Sequence, residues 1–459
     1  MPAPRFKELF CFLIPGRFFL IKILLTFPPI ENLVIMDHKS FPRFLIIWCG
    51  QFISSIGSGL TAFSLGVYAF NKTSSATVYS LIILFAFLPS YLLKPIGGTL
   101  SDRLDRRLLM IVGDLGSALG LLFILIMLSS GFQDMWVIYI GVATSSTFVA
   151  LQNPAYKASI TDMVDEAAYS KASGLMQLAE SARFLISPII AGFLYAIMKI
   201  EYILMIDIAT FTIAVFAVFA IKGKIKADQP VTHKEHFLTD FKDGFKYTFA
   251  HKGLLWLLSI TSIITFAVGF LQSLIGPMIL AFTNAKTLGV IQTIAASGML
   301  ASSFFIGLFS KNQKQVAVLS ASLGLAGIFY ALFGVSTNLV FITAAGFLFF
   351  STLPFVNTSL EVLIRKNVDN RVQGRVWSIV SLISQLGMII AFCCAGILAD
   401  KLFNPLLQPD GVLASSVGKL IGAGPGRGIG FMFVLSGLLV TAVAGIIHKN
   451  QHIRALEKH

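Results

Sequence analysis

Apolar residues in this chain gather into unbroken runs of about twenty, rather than alternating or recurring at every third or fourth place. A helix of about 20 apolar residues crosses the hydrocarbon core of a bilayer, and twelve such runs occur: 44–70, 77–97, 108–130, 135–157, 171–197, 203–221, 254–280, 287–309, 316–335, 339–363, 376–398 and 429–447. Most are joined by short polar segments such as Asn71-Lys72-Thr73 and Lys311-Asn312-Gln313-Lys314. The pattern predicts an all-α membrane protein with twelve transmembrane helices in two six-helix bundles. The expected organisation is an N-terminal extension (1–43), a first bundle (44–221), a basic linker (222–253), a second bundle (254–448) and a tail (449–459). Within the linker, Phe237 to Phe249 reads as an amphipathic helix lying on the membrane surface.

Composition strengthens this reading. The chain is 56% apolar and 12% charged, with a mean hydropathy of +0.82; soluble domains carry about 25% charged residues. A soluble multidomain enzyme is excluded. The net charge of +13 suggests nucleic acid until the charges are placed. Twenty-three Lys and Arg fall in the segments on one side of the expected helices and six on the other. By the positive-inside rule the first side is cytoplasmic, with both termini there, so the charge reports topology and no nucleic-acid partner is expected. The four Trp, at 48, 136, 256 and 377, all fall at the start of a span, where indole rings favour the interface. Residues 9–30 are apolar but interrupted by Pro15, Pro28, Pro29, Arg17 and Lys22. A thirteenth span there would invert everything after it, so translation is expected to begin at Met36, or residues 1–35 to lie on the membrane surface. Four Cys, with no CxxC and no His/Cys ligand spacing, read as small buried hydrophobes.

The two halves resemble each other. At an offset of 204, Asn153 matches Asn357, Val164-Asp165 matches Val368-Asp369, and Lys171 matches Arg375; at 209, Gly98 and Ser101 match Gly307 and Ser310. Matches at topologically equivalent loops point to a parallel six-plus-six repeat.

The segment joining the second and third helices reads Gly97-Gly98-Thr99-Leu100-Ser101-Asp102-Arg103-Leu104-Asp105-Arg106-Arg107. Its glycines allow close backbone approach. Asp102 and Arg106 stand four apart, with the acid expected near the positive N-terminal end of the third helix. As a bland alternative it is a plain basic turn. The segment resembles the signature loop of the major facilitator superfamily, G-x-L-x-D-R-x-G-R-R, with Asp105 in place of the second glycine. Asn153-Pro154-Ala155, Gln373-Gly374-Arg375-Val376 and the glycine-rich Gly424–Gly430 are similar to the macrolide-efflux and enterobactin-exporter branch. The resemblance runs from about Met36 to the C-terminus. It implies a conformational-gate loop built on Gly98, Asp102, Arg103, Arg106 and Arg107, with Asp114 close by, and a monomer in the bacterial cytoplasmic membrane. It further implies alternating-access export of amphipathic or hydrophobic small molecules, with the proton as coupling ion. In the fifth helix Ser187-Pro188-Ile189-Ile190-Ala191-Gly192 resembles the antiporter motif G-P-x-x-G-G. Ser187, Pro188 and Gly192 would then form a bendable contact with the other bundle, or simply a tight packing site.

Charges inside spans cost about 2.5–3.5 kcal/mol each at mid-helix on insertion scales, so each calls for a reason. Glu180 and Arg183, three apart on the fifth helix, either line the cavity and couple transport or pair structurally. Asp207, near the outer end of the sixth helix, is a coupling candidate or an interfacial residue. Asp114 reads mainly as structural, joining the Asp102/Arg106 cluster. Gln51, Asn153, Gln177 and Asn357 are uncharged candidates for lining the cavity. No Walker loop, HExxH or metal-ligand cluster occurs, so no cofactor, metal or enzyme activity is expected. The rival readings are export of an endogenous siderophore, metabolite or lysolipid, and a non-transporting sensor on the same scaffold.

Overall fold

The computed structural model describes residues 41–221, 245–246, 248–249, 252–309, 314–368 and 373–457. The N-terminal extension with its candidate start at Met36, and most of the linker with the Phe237–Phe249 stretch, lie outside the described residues. Among those described there are helices and turns and no strand.

Twelve helices are long and apolar enough to cross a membrane, one for each run read from the sequence. They are α1 (Phe41–Thr73), α2 (Ala76–Arg103), α3 (Arg106–Ser129), α4 (Met135–Met163), α5 (Glu166–Ile197), α6 (Ile200–Phe219), α7 (Lys252–Leu280), α8 (Ala285–Phe309), α9 (Gln315–Val335), α10 (Leu339–Asn367), α11 (Gln373–Leu398) and α12 (Arg427–Lys449). Local chemistry sets the ends. Ser75, Asp105 and Asn338 accept hydrogen bonds from the first turns of α2, α3 and α10, satisfying donors that a helix N-terminus leaves free. The fifth span is not one continuous helix. It divides at Ile186 into Tyr169–Leu185 and Ser187–Ile197, because Pro188 has no N–H to bond the preceding turn.

The repeat is visible in the register of the helices. α2 and α8 begin 209 residues apart, as do α3 and α9; α4 and α10, and α5's main segment and α11, begin 204 apart. These are the two offsets found in the sequence. Helices α1–α6 pack among themselves, as do α7–α12, and the halves meet through α5 on α8 and α2 on α11, with α7 touching α1 and α2.

The apolar core is distributed unequally along the membrane normal. Here the basic face denotes the side carrying the α2–α3 and α4–α5 connections, and the far face the side carrying the α1–α2 and α7–α8 connections. Towards the far face one buried cluster spans both halves, joining Leu60, Phe63 and Ala191 to Leu274, Leu288 and Phe433. Towards the basic face each half keeps a separate cluster, one around Phe44, Met110 and Tyr156 and the other around Leu257, Leu319 and Val376. The halves are therefore sealed together on the far face and parted on the basic one. Trp48, near the start of α1, donates its indole N–H to Leu175 O at 2.6 Å, bracing α1 against α5.

Candidate functional site

Gln177, Glu180 and Arg183 recur every three residues on α5, and all three are exposed while Met176, Ala179 and Ala182 behind them are buried. Asn153 and Lys157 are exposed on α4, as is Asn357 on α10. Glu180 is not paired with Arg183. Its carboxylate lies 3.3 Å from Lys157 Nζ on α4, with the two side chains 55% and 60% exposed. The three-residue spacing brought Glu180 and Arg183 to one face, but the α4 lysine reaches the carboxylate. Arg183 stands halfway along α5 beside Gly59 of α1, within electrostatic reach of both Glu180 and Asp207. Asp207 is not interfacial. It is 1% exposed, faces Gly57 of α1 and accepts a hydrogen bond from Thr210 Oγ1 at 3.2 Å. The missing side chain at Gly57 makes room for it. Glu361, which sequence reading left out of the span carboxylates, lies on α10 and pairs with Arg365 one turn on, at 2.5 Å.

Asp114 does not join the loop cluster. It is 2% exposed and accepts from Gln51 Nε2 at 2.8 Å, while Gln51 Oε1 accepts from Gln152 Nε2 at 2.7 Å. This chain ties α3, α1 and α4 together deep in the first half. Gln152 was overlooked in favour of its neighbour Asn153, which points to the other side of α4.

The signature segment is also arranged differently from its spacing. α2 ends at Arg103 and α3 starts at Arg106, so Asp102 and Arg106 are on different helices and the i,i+4 relation does not hold. Asp102 and Arg103 are exposed. Asp105, the residue that departs from the superfamily pattern, caps α3 by accepting from Arg107 N at 3.0 Å. Arg106 is buried and donates to Asp162 Oδ2 at 2.6 Å and to Ala158 O at 2.8 Å, both on α4. Arg107 donates to Val218 O and Phe219 O at the end of α6. Gly98 has open space where a side chain would stand.

At the far face the seam is built from small residues and one acid. Gly192 and Gly289 let α5 and α8 touch backbone to backbone: a side chain at 192 would strike Ala285 O and Lys286, and one at 289 would strike Pro188 O. Ser187 is buried and donates to Ile56 O of α1 at 3.0 Å. Asp400, in the wider helical turn Ala399–Phe403 that follows α11, reaches across to the first turn of α2. Its carboxylate accepts from Ser75 Oγ at 2.6 Å, Ala76 N at 3.0 Å and both Thr77 N and Thr77 Oγ1 at 2.8 and 2.7 Å. A carboxylate at a helix N-terminus takes up free N–H groups and meets the positive end of the dipole. Nothing in the sequence pairs residue 400 with residue 75, and this contact was missed.

The Major Facilitator Superfamily profile matches residues 47–392. The chain belongs to this superfamily. As a member it is a multi-pass membrane transporter and not an enzyme. It is 26% identical over 425 residues to macrolide efflux protein A of Streptococcus pyogenes, covering 90% of this transporter and 97% of that protein. The Enterococcus faecalis protein of the same name is 27% identical over 69% of this transporter and 99% of its own length. Among solved structures, a bacterial homologue of the human lysosomal transporter Spinster, inward-facing and unoccupied, aligns with a TM-score of 0.70 at 13% identity, covering 91% and 98% of the two chains. An inward-facing bacterial homologue of the iron transporter ferroportin gives 0.65 at 14%, covering 90% of this transporter and 100% of that chain. These likenesses show the fold. Among the transporter's described residues no group of His, Cys, Asp or Glu is arranged to hold a metal.

Proposed function

We propose that this transporter exports amphipathic or hydrophobic small molecules from the cytoplasm by alternating access, coupled to proton entry, with the basic face cytoplasmic and the conformation described here open to that face. The observation that carries the reading is Arg183. A charged Arg halfway along a transmembrane helix is expensive in lipid and faces the bundle interior or a water-filled cavity. Gln177 and Glu180 continue the same face towards the basic side, where the two halves keep separate cores. Asn153, Asn357 and the Lys157–Glu180 pair, all exposed, are the proposed substrate-lining groups. Glu180 is the proposed coupling carboxylate, with buried Asp207 linked to it through Arg183. Proton uptake by Glu180 releases Lys157 and alters the charge of the cavity wall. The exposed Asp102 and Arg103 are proposed to engage the other half when the basic face closes.

Efflux by macrolide-named relatives supports the substrate class. The test is accumulation of macrolides and lipophilic dyes in an efflux-deficient bacterium expressing the full chain, with and without a protonophore. Lower accumulation that the protonophore abolishes is expected. Unchanged accumulation across the panel would overturn the drug-like substrate class and direct the search to an endogenous metabolite or lysolipid.

A further inference from the structure

An open groove of about 940 Å³ lies away from the charged strip, between α8 and α10 near the far face. Its size is in the range of sites that hold organic ligands, about 300–1,000 Å³. Its wall is almost wholly apolar, with Ile294, Val340, Phe347 and Leu348 among the lining groups, while Lys286 and Asn284 stand at one end. That end is the first turn of α8, where Asn284 Oδ1 accepts from Thr287 N at 3.0 Å and caps the helix. Thr343, midway along, turns its hydroxyl back to Leu339 O at 2.6 Å, so the wall stays apolar to the eye of a ligand. Lys286 is exposed and makes no ion pair among the described residues; its ammonium stacks 4.6 Å from the ring of Phe193, which belongs to α5 of the other half.

We infer that this groove holds one anionic phospholipid of the surrounding bilayer, with an acyl chain along the apolar wall and the phosphate at Lys286. Three features converge on that occupant. The groove opens between the exposed apolar side chains of Ile294, Val340 and Leu348 on two membrane-spanning helices, and it is polar only at its far-face end, the level at which a bilayer's headgroups would meet it. The uncompensated charge there is positive, and the N-terminal end of α8 adds to it. A cationic amphiphile would be repelled at the same end, and a neutral lipid would leave Lys286 unanswered. Because Lys286 also touches Phe193 across the α5–α8 contact, a bound headgroup would sit on the seam between the halves.

Native mass spectrometry of the full-length transporter, with phosphatidylglycerol or phosphatidylcholine of matched acyl chains added in equal amounts, tests this. Wild type should retain one phosphatidylglycerol in preference to phosphatidylcholine, and Lys286→Gln should weaken that retention about five-fold, the factor expected for one basic residue at an anionic headgroup. Lys286→Arg should restore it. Ala344→Phe, which fills the groove, should reduce retention of either lipid. Lys72→Gln removes a far-face charge that is held by Gln133 and should change nothing. Equal retention of both lipids by wild type and Lys286→Gln, or an equal loss in Lys72→Gln, would overturn the assignment.

Discussion

Asp400 and Thr77 belong to opposite halves of the transporter, yet the Asp400 carboxylate accepts both the backbone N–H and the hydroxyl of Thr77, at 2.8 and 2.7 Å. The same carboxylate takes Ser75 Oγ and Ala76 N, so an acid at the end of α11 supplies the cap that the N-terminus of α2 needs. On the proposed alternating-access reading, the bond is made only with the far face shut. If the halves separate there, α2 keeps the Ser75 cap on Val78 N but must satisfy the N–H groups of Ala76 and Thr77 from water, and Asp400 loses its four donors.

Asp400→Asn replaces an all-acceptor group by one that also presents an NH₂ to those donors. Loss of a charged cap in a partly buried site costs up to about 2 kcal/mol, which corresponds to a roughly thirty-fold shift in the balance between shut and open far faces. Ala191, fully buried at this seam, is the reporter. In a background with Cys11, Cys49, Cys393 and Cys394 changed to Ser, Ala191→Cys should react with a membrane-impermeant maleimide much faster when Asp400→Asn is added. An unchanged labelling rate would show that the cap does not hold the face shut.

Arg106 and Asp102 should behave oppositely, although they belong to one sequence motif. Arg106→Ala removes a buried donor to Asp162, Ala158 and Ser101 and breaks the largely buried Arg106–Asp162 ion pair, a change that typically costs about 3 kcal/mol or more. Asp102 is exposed, so Asp102→Asn should alter stability by no more than about 0.5 kcal/mol while impairing transport through the other conformation. Thermal unfolding in detergent beside a flux assay separates the two effects. Equal destabilisation by both variants would refute this division of roles.

The contrast shows what could be read from the sequence. Run length fixed the number of spans, and matched residues at offsets of 204 and 209 located the repeat that the helix starts display. Pattern could not fix which side chains meet. The i,i+4 rule misled at Asp102 and Arg106 because the helix breaks between them, which Asp105 signals as a capping residue. The i,i+3 rule placed Glu180 and Arg183 on one face correctly but could not see Lys157 arriving from α4. Asp400 lies just past the eleventh apolar run, outside every span read from the sequence, and pairing it with residues 75–77 requires the packing of α2 on α11.

Asp114 offers a test of buried polar packing. Asp114→Leu leaves the Gln51 amide without its acceptor and disturbs the bond from Gln152, which should cost about 1–3 kcal/mol. Asp114→Asn keeps an oxygen in reach of Gln51 and should cost less. Similar unfolding temperatures for Asp114→Leu and wild type would mean that the three-residue chain contributes nothing to holding α1, α3 and α4.

Glu180 and Lys157 separate a structural pair from a coupling pair. Both side chains are more than half exposed, and an ion pair of that kind contributes about 0–1 kcal/mol to stability. Lys157→Gln, Glu180→Gln and the double variant should therefore unfold within a degree or two of each other, roughly the shift such a contribution produces in a large domain. Transport should not follow stability. With a carboxylate no longer available to take up a proton, Glu180→Gln should lose uphill, gradient-driven efflux while keeping downhill exchange of the same substrate, and Asp207→Asn is the comparison that tells a surface carboxylate from a buried one. Full gradient-driven efflux by Glu180→Gln would remove it as the proton carrier, and loss of efflux in Asp207→Asn alone would transfer that role to the buried acid beside Gly57.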